Sequence, residues 1–295
     1  MSLRSGSPVW DGDKQRLLLG KLVKSGGAGS VFLLPESPRQ VAKIYHPGDE
    51  VRIYERKVMA MLGLTPELPD LVDGAQRFVQ IAWPQSPLRD ERGRFLGFLM
   101  PAVDVKATSE LEVILQERQA RAAGLPTGLG AKVTLAANLA AVIAALHKQH
   151  HYIVDLKPVN LRFYRESLYM AMLDCDGFSI QGQGERFHAQ QFTPDYLAPE
   201  FHAHGVAKAG EQSQDRFALA VVVFQLMNFG IHPFAGRPAS DRVPTDIPGR
   251  IAGRWYAYGQ RPNTGIAPRL TPASRVMAID WSTRPSASIA RQSAK

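Results

Sequence analysis

Residues 151–177 read HYIVDLKPVNLRFYRESLYMAMLDCDG, a polar loop and two apolar segments that end in an acidic cluster. The loop carries Asp155, Lys157 and Asn160, and the apolar segments lead to Asp174. Carboxylate and amide oxygens are ligands that Mg²⁺ prefers, and a lysine ammonium neutralises phosphoryl oxygens. The stretch therefore predicts a metal and phosphate site, in which Asp155 orients a hydroxyl nucleophile.

The composition is that of a globular protein. The 295 residues suffice for two modest domains or one large two-lobed domain, and 45% of them are hydrophobic. The single cysteine, Cys175, cannot form an intramolecular disulfide, and no secretory leader pattern opens the chain. We therefore expect a cytoplasmic protein whose residues 1–14 form a flexible tail.

Neither a nucleic acid nor a membrane is an expected partner. The formal charge is +8, but the lysines and arginines are scattered and form no basic run with interleaved aromatics. Residues 131–146 and 217–231 are apolar, yet both are shorter than the roughly 20 residues that span a bilayer. These two segments are predicted to be buried helices.

A glycine-rich turn, KSGGAGSV, lies between two β-compatible runs at residues 17–23 and 31–34. Gly26, Gly27 and Gly29 let the backbone approach a ligand, so that its N–H groups can point at phosphate oxygens. Such turns are also common in ordinary hairpins, and the turn alone is weak evidence for a phosphate site.

The next strand, residues 40–45, carries Lys43 on the face that the glycine turn covers. A helix then runs from Asp49 to about Gly63, with Glu55 at the edge of its apolar face. A helix carboxylate in this place is predicted to pair with Lys43 and hold it in position. Glu55 is the favoured partner, and Glu50 is its competitor.

Helical periodicity dominates the chain from Ser109 onward. Residues 109–124 and 130–150 are predicted to be helices, and residues 179–192 a mobile loop. The three histidines at 147, 150 and 151 are interpreted as structural rather than metal-binding, because no acidic or cysteine partner shares their spacing. Asp215 precedes a further apolar helix and is predicted to accept hydrogen bonds from backbone amides near the Asp155 loop.

In their order and spacing these features resemble a bacterial eukaryotic-like Ser/Thr protein kinase, over about residues 17–290. The resemblance implies an α+β, two-lobed protein kinase-like fold, with a small five-stranded antiparallel N-lobe that has one main helix, and a mostly helical C-lobe. The expected boundaries are a kinase-like domain at 15–290 (N-lobe 15–100, hinge 101–105, C-lobe 106–290) between tails at 1–14 and 291–295.

The resemblance also implies roles for single residues. Asp155, Lys157, Asn160 and Thr193 match catalytic positions, with Thr193 between Asp155 and Lys157. A nucleotide site is implied at Gly26, Gly27, Gly29, Val31, Ala42, Lys43, Glu55, Met100, Pro101 and Val103. Within this set, Met100 resembles the gatekeeper, and the Pro101 carbonyl and Val103 N–H would meet the adenine edge. ATP and Mg²⁺ or Mn²⁺ are the implied cofactors, and a protein is the implied substrate.

The sequence departs from the kinase pattern at two places in the opening stretch. Ile153-Val154 stand where the family has His-Arg, so the arginine that reads a phosphorylated activation loop is absent. Loop phosphorylation is therefore not expected to be the switch. Asp174-Cys175-Asp176 replace Asp-Phe-Gly, and the phrase LDCDGFSI is similar to the "DxDSF" variant of kinases found with tellurite-resistance-type proteins and helix-hairpin-helix segments.

The metal is assigned to Asn160 and to Asp174, because Asp174 ends the apolar strand. The alternative register assigns it to Asp176. In the glycine turn, Lys24 replaces the first family glycine, whereas Gly26 and Gly29 match the second and third.

Three functions are open from the sequence. The leading hypothesis is a Ser/Thr protein kinase that transfers the γ-phosphoryl group of ATP to a protein hydroxyl. The alternative is a nucleotide-binding pseudokinase that acts as a scaffold or switch. A small-molecule kinase is disfavoured by the segment TPDYLAPE, by Asp215 and by Arg284, which is predicted to pair with Glu200.

Overall fold

The computed structural model describes residues 3–48, 50–68, 71–73, 76–206, 209–259 and 265–269. Its N-terminal part is a seven-stranded antiparallel sheet with one helix. The strands of this part are β1 (Pro8–Trp10), β2 (Arg16–Leu18), β3 (Leu22–Ser25), β4 (Gly29–Leu33), β5 (Gln40–Tyr45), β6 (Val72–Asp73), β7 (Gln76–Arg77), β8 (Ser86–Arg89) and β9 (Phe95–Pro101). The sheet has the order β2-β1-β8-β9-β5-β4-β3, and β6 and β7 form a separate pair.

The sheet has two strands more than predicted, because part of the expected N-terminal tail forms β1 and because the run predicted at 17–23 is divided between β2 and β3. In β1, Val9 is fully buried and packs in one core cluster with Leu17, Leu19 and Leu88. β1 pairs with both β2 and β8, which places it inside the sheet. A strand of three residues is too short for a legible alternation of apolar and polar residues.

One expected strand is also displaced along the chain. The apolar run at residues 78–84 (FVQIAWP) predicts a strand, but the segment that pairs with β9 is β8, at Ser86–Arg89. Residues 80–82 instead bond to the C-terminal part of the chain, where the Ala82 N–H donates to the Met172 carbonyl at 2.9 Å. This segment therefore connects the two lobes.

A close backbone approach fixes the position of Lys43 in the sheet. Gly97 of β9 lies opposite Ile44 of β5, and a Cβ atom on Gly97 would come within 1.9 Å of the Lys43 carbonyl oxygen. Only glycine fits there without a shift of the strand, so the tight pairing of β5 with β9 depends on this residue.

The helix of the N-lobe, α1 (Val51–Leu62), packs against β8 and β9. It begins later than predicted, and Asp49 lies outside the described residues. Its inner face buries Lys57, Val58 and Met61. Tyr54 stacks on Tyr45 of β5 with 4.4 Å between the ring centroids, which joins helix and sheet.

The C-terminal part is mostly helical, as predicted. Its helices are α2 (Leu111–Leu115), α3 (Glu117–Ala122), α4 (Leu129–Lys148), α5 (Glu211–Met227) and α6 (Ile247–Ala252). The expected helix at 109–124 is two short helices, because Gln116 between them has extended backbone angles. The short strands of this part are β10 (Thr108–Glu110), β11 (Leu161–Tyr164), β12 (Met170–Met172), β13 (Ile180–Gln181), β14 (Arg186–Phe187), β15 (Gly236–Pro238) and β16 (Ile266–Pro268).

Helices α4 and α5 form the centre of this lobe. Leu135, Leu139 and Leu146 of α4 share one core cluster with Val222 and Leu226 of α5. By length and composition α4 is apolar enough to cross a membrane, and in this structure its apolar face packs in that core. The sequence from Asp280 onward predicts a terminal helix, and this segment, with Arg284, lies outside the described residues.

The buried His232 is expected to make the fold sensitive to acid. Its Nε2–H donates to the Asp195 carbonyl at 2.9 Å and its Nδ1 accepts from the Phe234 N–H at 3.2 Å, so both bonds require the neutral ring. Burial lowers the pKa of His232 from 6.5 to about 4. The unfolded chain therefore binds the proton first, and stability that is present above pH 6.5 is lost as the pH falls toward 4. At pH 5 the loss is roughly 2 kcal/mol.

Thermal or urea unfolding at pH 7.5 and pH 5.0 measures this loss. The His232→Gln variant keeps a donor for the Asp195 carbonyl but cannot titrate, so its stability should fall less between the two pH values. The matched control is His204→Gln, because His204 is exposed. Equal pH dependence in all three proteins would contradict the role of His232.

Candidate active site

A cleft of about 590 Å³ lies between the two lobes. It brings together nine of the residues predicted from the sequence. They are Gly26, Gly27, Gly29, Val31 and Lys43 of the N-lobe, and Asp155, Lys157, Asn160 and Asp174 of the C-lobe. Residues separated by more than a hundred positions in the chain thus share one cavity.

Six predicted residues do not line this cleft, namely Ala42, Glu55, Met100, Pro101, Val103 and Thr193. Ala42 points away from it, into the core cluster on the other face of the sheet. Side chains alternate along a strand, so the neighbour of Lys43 cannot share its face, and the assignment of Ala42 to the cleft is wrong. Met100 is buried beside Val41, and the adenine contacts of Pro101 and Val103 stay predictions.

Asp155, Lys157 and Thr193 form a closed hydrogen-bonded triangle. The Lys157 ammonium donates to Asp155 Oδ2 and to Thr193 Oγ1, both at 2.7 Å, and the Thr193 hydroxyl donates to Asp155 Oδ1 at 2.6 Å. This is the contact expected for Thr193. Asn160 lies on the adjoining 3₁₀ turn, and its amide is 3.4 Å from the Asp155 carbonyl oxygen.

The backbone before Asp155 is held by the fully buried Asp215. Its Oδ2 accepts from the Ile153 N–H at 2.8 Å and its Oδ1 from the Val154 N–H at 2.6 Å. His147 bonds the same carboxylate at 2.9 Å. Val154 has φ +64°, a strained conformation for a β-branched residue, and these bonds keep it there. The predicted role of Asp215 as an acceptor for loop amides is confirmed.

The partner of Lys43 differs from the prediction. The Lys43 ammonium donates to Asp176 Oδ1 at 2.6 Å and to Asp174 Oδ1 at 3.2 Å. Glu55, the expected partner, instead forms an ion pair with Arg89 at 2.9 Å. The prediction was wrong because the buried face of α1 is rotated, so that Glu55 lies at the edge of β8 rather than over the cleft.

Asp176 is the most enclosed acid of the cleft. Its carboxylate also accepts from the Tyr45 hydroxyl at 2.7 Å, and its side chain is 5% exposed, against 46% for Asp174. Burial raises the pKa of Asp176, but Lys43 and Tyr45 lower it further, so that the net direction is downward. Burial lowers the pKa of Lys43, and the two carboxylates raise it above its ordinary value. Both groups are therefore charged at neutral pH.

The comparisons with known proteins agree with this arrangement. No protein-family model matches the chain. It is 26% identical over 282 residues to "Protein kinase YegI" of Escherichia coli (strain K12), which is 92% of this chain and 41% of that protein. The counterpart in E. coli O157:H7 is 26% identical over 261 residues, 86% of this chain and 38% of that protein. The chain thus spans about two fifths of the length of these relatives.

Two eukaryotic-type kinases extend the comparison. A segment of 128 residues, 36% of this chain, is 32% identical to mouse "MAP kinase-activated protein kinase 5" and covers 27% of it. The structure "ROP18 kinase domain in complex with AMP-PNP and sucrose" superposes with a TM-score of 0.50 at 15% identity, over 77% of this chain and 68% of that one. The chain has the two-lobed, eukaryotic-like protein kinase fold. It is homologous to the YegI protein kinases.

Part of the segment predicted to be a mobile loop, residues 179–192, has secondary structure in this kinase fold. Strands β13 and β14 form a hairpin, and Glu211 of α5 anchors it. Glu211 accepts from Arg186 at 2.8 Å, from His188 at 2.9 Å and from the Ser179 hydroxyl at 2.8 Å. A buried carboxylate therefore holds both ends of this segment, through Ser179 on one side and through Arg186 and His188 on the other.

One residue of the cleft was missed by the sequence reasoning. Lys57 of α1 lines the cavity and is only 6% exposed, and among the described residues no hydrogen bond from its ammonium is found. Burial lowers the pKa of Lys57 to about 8. In the sequence, the one signal of its burial is that Lys57 lies next to Val58 and one helical turn before Met61, the other two buried residues of α1.

Proposed function

We propose that the chain is an ATP- and Mg²⁺-dependent protein kinase that transfers the γ-phosphoryl group to a Ser or Thr hydroxyl of a protein. The observation that carries this proposal is the triangle of Asp155, Lys157 and Thr193, of which Asp155 and Lys157 line the same cleft as Lys43. The kinase fold and the kinase homologues support phosphotransfer as the general chemistry.

Each side chain of the triangle has a distinct chemical role in the proposal. The Asp155 carboxylate accepts the proton of the substrate hydroxyl and orients its oxygen toward phosphorus. Lys157 neutralises charge on the transferred group, and Thr193 fixes the direction of both side chains through its two bonds. Because phosphoryl transfer needs mainly positioning and charge neutralisation, these groups suffice for catalysis once nucleotide and acceptor are bound.

The nucleotide phosphates are proposed to lie under the glycine turn. Gly26, Gly27 and Gly29 border the cleft, and Cβ atoms on Gly26 and Gly27 would meet little or nothing within 4 Å, so this turn leaves open space beside its backbone. Lys43 points into the same space and supplies the positive charge. A similar structure carries the ATP analogue AMP-PNP, which supports ATP as the nucleotide.

The residues present fit a magnesium ion. The Asp174 carboxylate is half-exposed toward the cleft, and the Asn160 amide nitrogen points to the Asp155 carbonyl, which leaves its Oδ1 for a cation. Mg²⁺ is held in proteins by one or two side chains with oxygen ligands, together with substrate phosphates. Asp174 and Asn160 supply two such side chains. When bound, the ion would neutralise charge on the phosphates. Mn²⁺ has the same preference for oxygen ligands.

A phosphotransfer assay tests the proposed function. The protein is incubated with γ-labelled ATP and either Mg²⁺ or Mn²⁺, with an unstructured protein as acceptor, and the labelled amino acid is identified after hydrolysis. Label on Ser or Thr is expected. Label on Tyr would contradict the Ser/Thr assignment, and no label on either protein with either ion would contradict the kinase.

The second candidate is a nucleotide-binding pseudokinase, which is favoured by Lys24 in the first glycine position and by the Ile153-Val154 replacement. A thermal-shift measurement with ATP and Mg²⁺ separates the candidates when it is combined with the assay. Stabilisation by about 2.7 kcal/mol is expected at a ligand concentration of 100 times Kd. Stabilisation without transfer identifies a pseudokinase. ATP and a protein substrate are the proposed partners, without nucleic acid or membrane, and the cytoplasm is the proposed location.

A further inference from the structure

Lys43 has an unusual anchor in this chain. We propose that Asp176, together with Tyr45, is the positioning residue for Lys43, and that α1 supplies no carboxylate to the site. The inference rests on the proposed function, because it concerns how Lys43 is presented to nucleotide phosphates. It goes beyond that function by assigning different tasks to the two acids of the Asp174-Cys175-Asp176 motif.

Both carboxylate oxygens of Asp176 accept hydrogen bonds. Oδ1 is bonded to the Lys43 ammonium at 2.6 Å and Oδ2 to the Tyr45 hydroxyl at 2.7 Å. Charge-assisted bonds of this length are the strong class, and burial keeps water from competing for them. Lys43 and Tyr45 project from the same face of β5, so one carboxylate holds the strand and the lysine together.

The backbone that carries Asp176 is itself fixed. It lies on the 3₁₀ turn Cys175–Gly177, whose neighbours Cys175 and Phe178 are both buried in the main core cluster. The Gly177 N–H closes the turn onto the Asp174 carbonyl at 3.0 Å. Asp176 is therefore a rigid anchor rather than a surface acid that meets a lysine by chance.

Helix α1 offers no competing carboxylate. Glu55 pairs with Arg89 at 2.9 Å, and Glu50 accepts from the Tyr54 hydroxyl at 2.8 Å. The buried charged residue of its inner face is a lysine, Lys57, which borders the same cleft. A second cation there favours a carboxylate on the opposite wall, and Asp176 supplies it.

The two acids thus have separate tasks. Asp176 is enclosed and bonded at both oxygens, whereas Asp174 is 46% exposed and, among the described residues, its carboxylate bonds to Lys43 alone, at the longer distance of 3.2 Å. This geometry favours Asp174 over Asp176 as the metal ligand. The anchor of Lys43 thus belongs to the same segment as the proposed metal ligand, and α1 reaches it only through the stacking of Tyr54 on Tyr45.

The test compares Asp176→Asn with Glu55→Gln in the full chain, by titration of ATP binding at fixed Mg²⁺ and of Mg²⁺ at fixed ATP. Asp176→Asn removes the charge but keeps the size of the side chain, so Lys43 should move to Asp174 and compete with the cation. ATP affinity should fall roughly 10–100-fold, the range for loss of a charge-assisted bond, and the Mg²⁺ midpoint should rise about tenfold. Glu55→Gln should change both values less than about twofold.

Further variants keep the test decisive. Asp176→Glu should recover part of the lost affinity, because the charge is restored. Tyr45→Phe removes one hydroxyl only and should weaken ATP binding about threefold. If Asp176→Asn does not fold, Tyr45→Phe takes its place in the comparison. Loss of affinity in Glu55→Gln with wild-type affinity in Asp176→Asn overturns this inference alone. A chain that binds no nucleotide overturns the proposed function and this inference together, whereas binding without transfer leaves the affinity comparison decisive.

Discussion

Asp155→Asn is expected to lower the rate of phosphate transfer by roughly 10²–10⁴-fold, the range for loss of a positioned general base. The carboxylate accepts from Lys157 at 2.7 Å and from Thr193 at 2.6 Å, and its charge is what draws the substrate proton. The amide keeps one oxygen for Thr193, but its NH₂ group faces the Lys157 ammonium. Proton acceptance is therefore lost while the loop geometry is largely retained.

The measurements are initial rates with labelled ATP, the ATP dissociation constant and the unfolding midpoint, on wild type and variant in parallel. ATP affinity and stability should stay close to wild type, because Asp155 contacts neither the glycine turn nor the core. Asp241→Asn is the matched control, since Asp241 is an exposed acid of the same lobe. Undiminished transfer by Asp155→Asn would assign the proton acceptor elsewhere. A parallel loss of stability would show that the change acts through folding.

The site could be predicted from the sequence wherever short spacing carries the information. Asp155, Lys157 and Asn160 fall within six residues, so any fold of that loop keeps them together. The acceptor role of Asp215 was also predicted, although Asp215 lies inside α5 and bonds amides of the Asp155 loop rather than the amides that begin its own helix. These local signals explain why the order of motifs indicated a kinase-like fold.

The anchor of Lys43 could not be predicted, because it joins residues 133 positions apart. The choice between Glu55 and another carboxylate depended on which face of α1 is buried. The helical spacing of Val51, Tyr54, Val58, Met59 and Leu62 predicts a buried face that includes Met59. In the structure Met59 is 45% exposed, and the buried residues are Lys57, Val58 and Met61. Successive side chains of a helix point in directions about 100° apart around its axis. A small error in the predicted buried face therefore places a carboxylate where the structure has a lysine.

The N-terminal hairpin shows the same limit in strands. The sequence shows Leu17 and Leu19 as part of an apolar run. That Val9 belongs to the core becomes evident only from the pairing of β1 with β8. Pairing partners distant in sequence decide whether a three-residue segment is a strand or a tail. Local sequence patterns therefore predicted the residues of the C-lobe site more accurately than the strands at the edge of the N-lobe sheet.

Asp215→Asn is expected to lower the free energy of unfolding by roughly 2–4 kcal/mol and to reduce transfer along with it. Asp215 is fully buried and accepts from three donors, at Ile153, Val154 and His147. The amide offers one acceptor oxygen and turns a donor toward a backbone N–H, which leaves a buried polar group unsatisfied. Val154 then loses the bond that holds it at φ +64°.

Relaxation of Val154 is the step that connects this change to catalysis, because Asp155 follows it directly. Amide hydrogen exchange at Ile153 and Val154 should become faster in Asp215→Asn, and urea unfolding gives the loss of stability. Adding Val154→Gly should restore part of the transfer activity, since glycine adopts the left-handed conformation without strain and keeps Asp155 in place. Equal activity of the single and double variants, with unchanged amide exchange, would show that Asp215 supports folding alone and that the strained turn has no part in presenting Asp155.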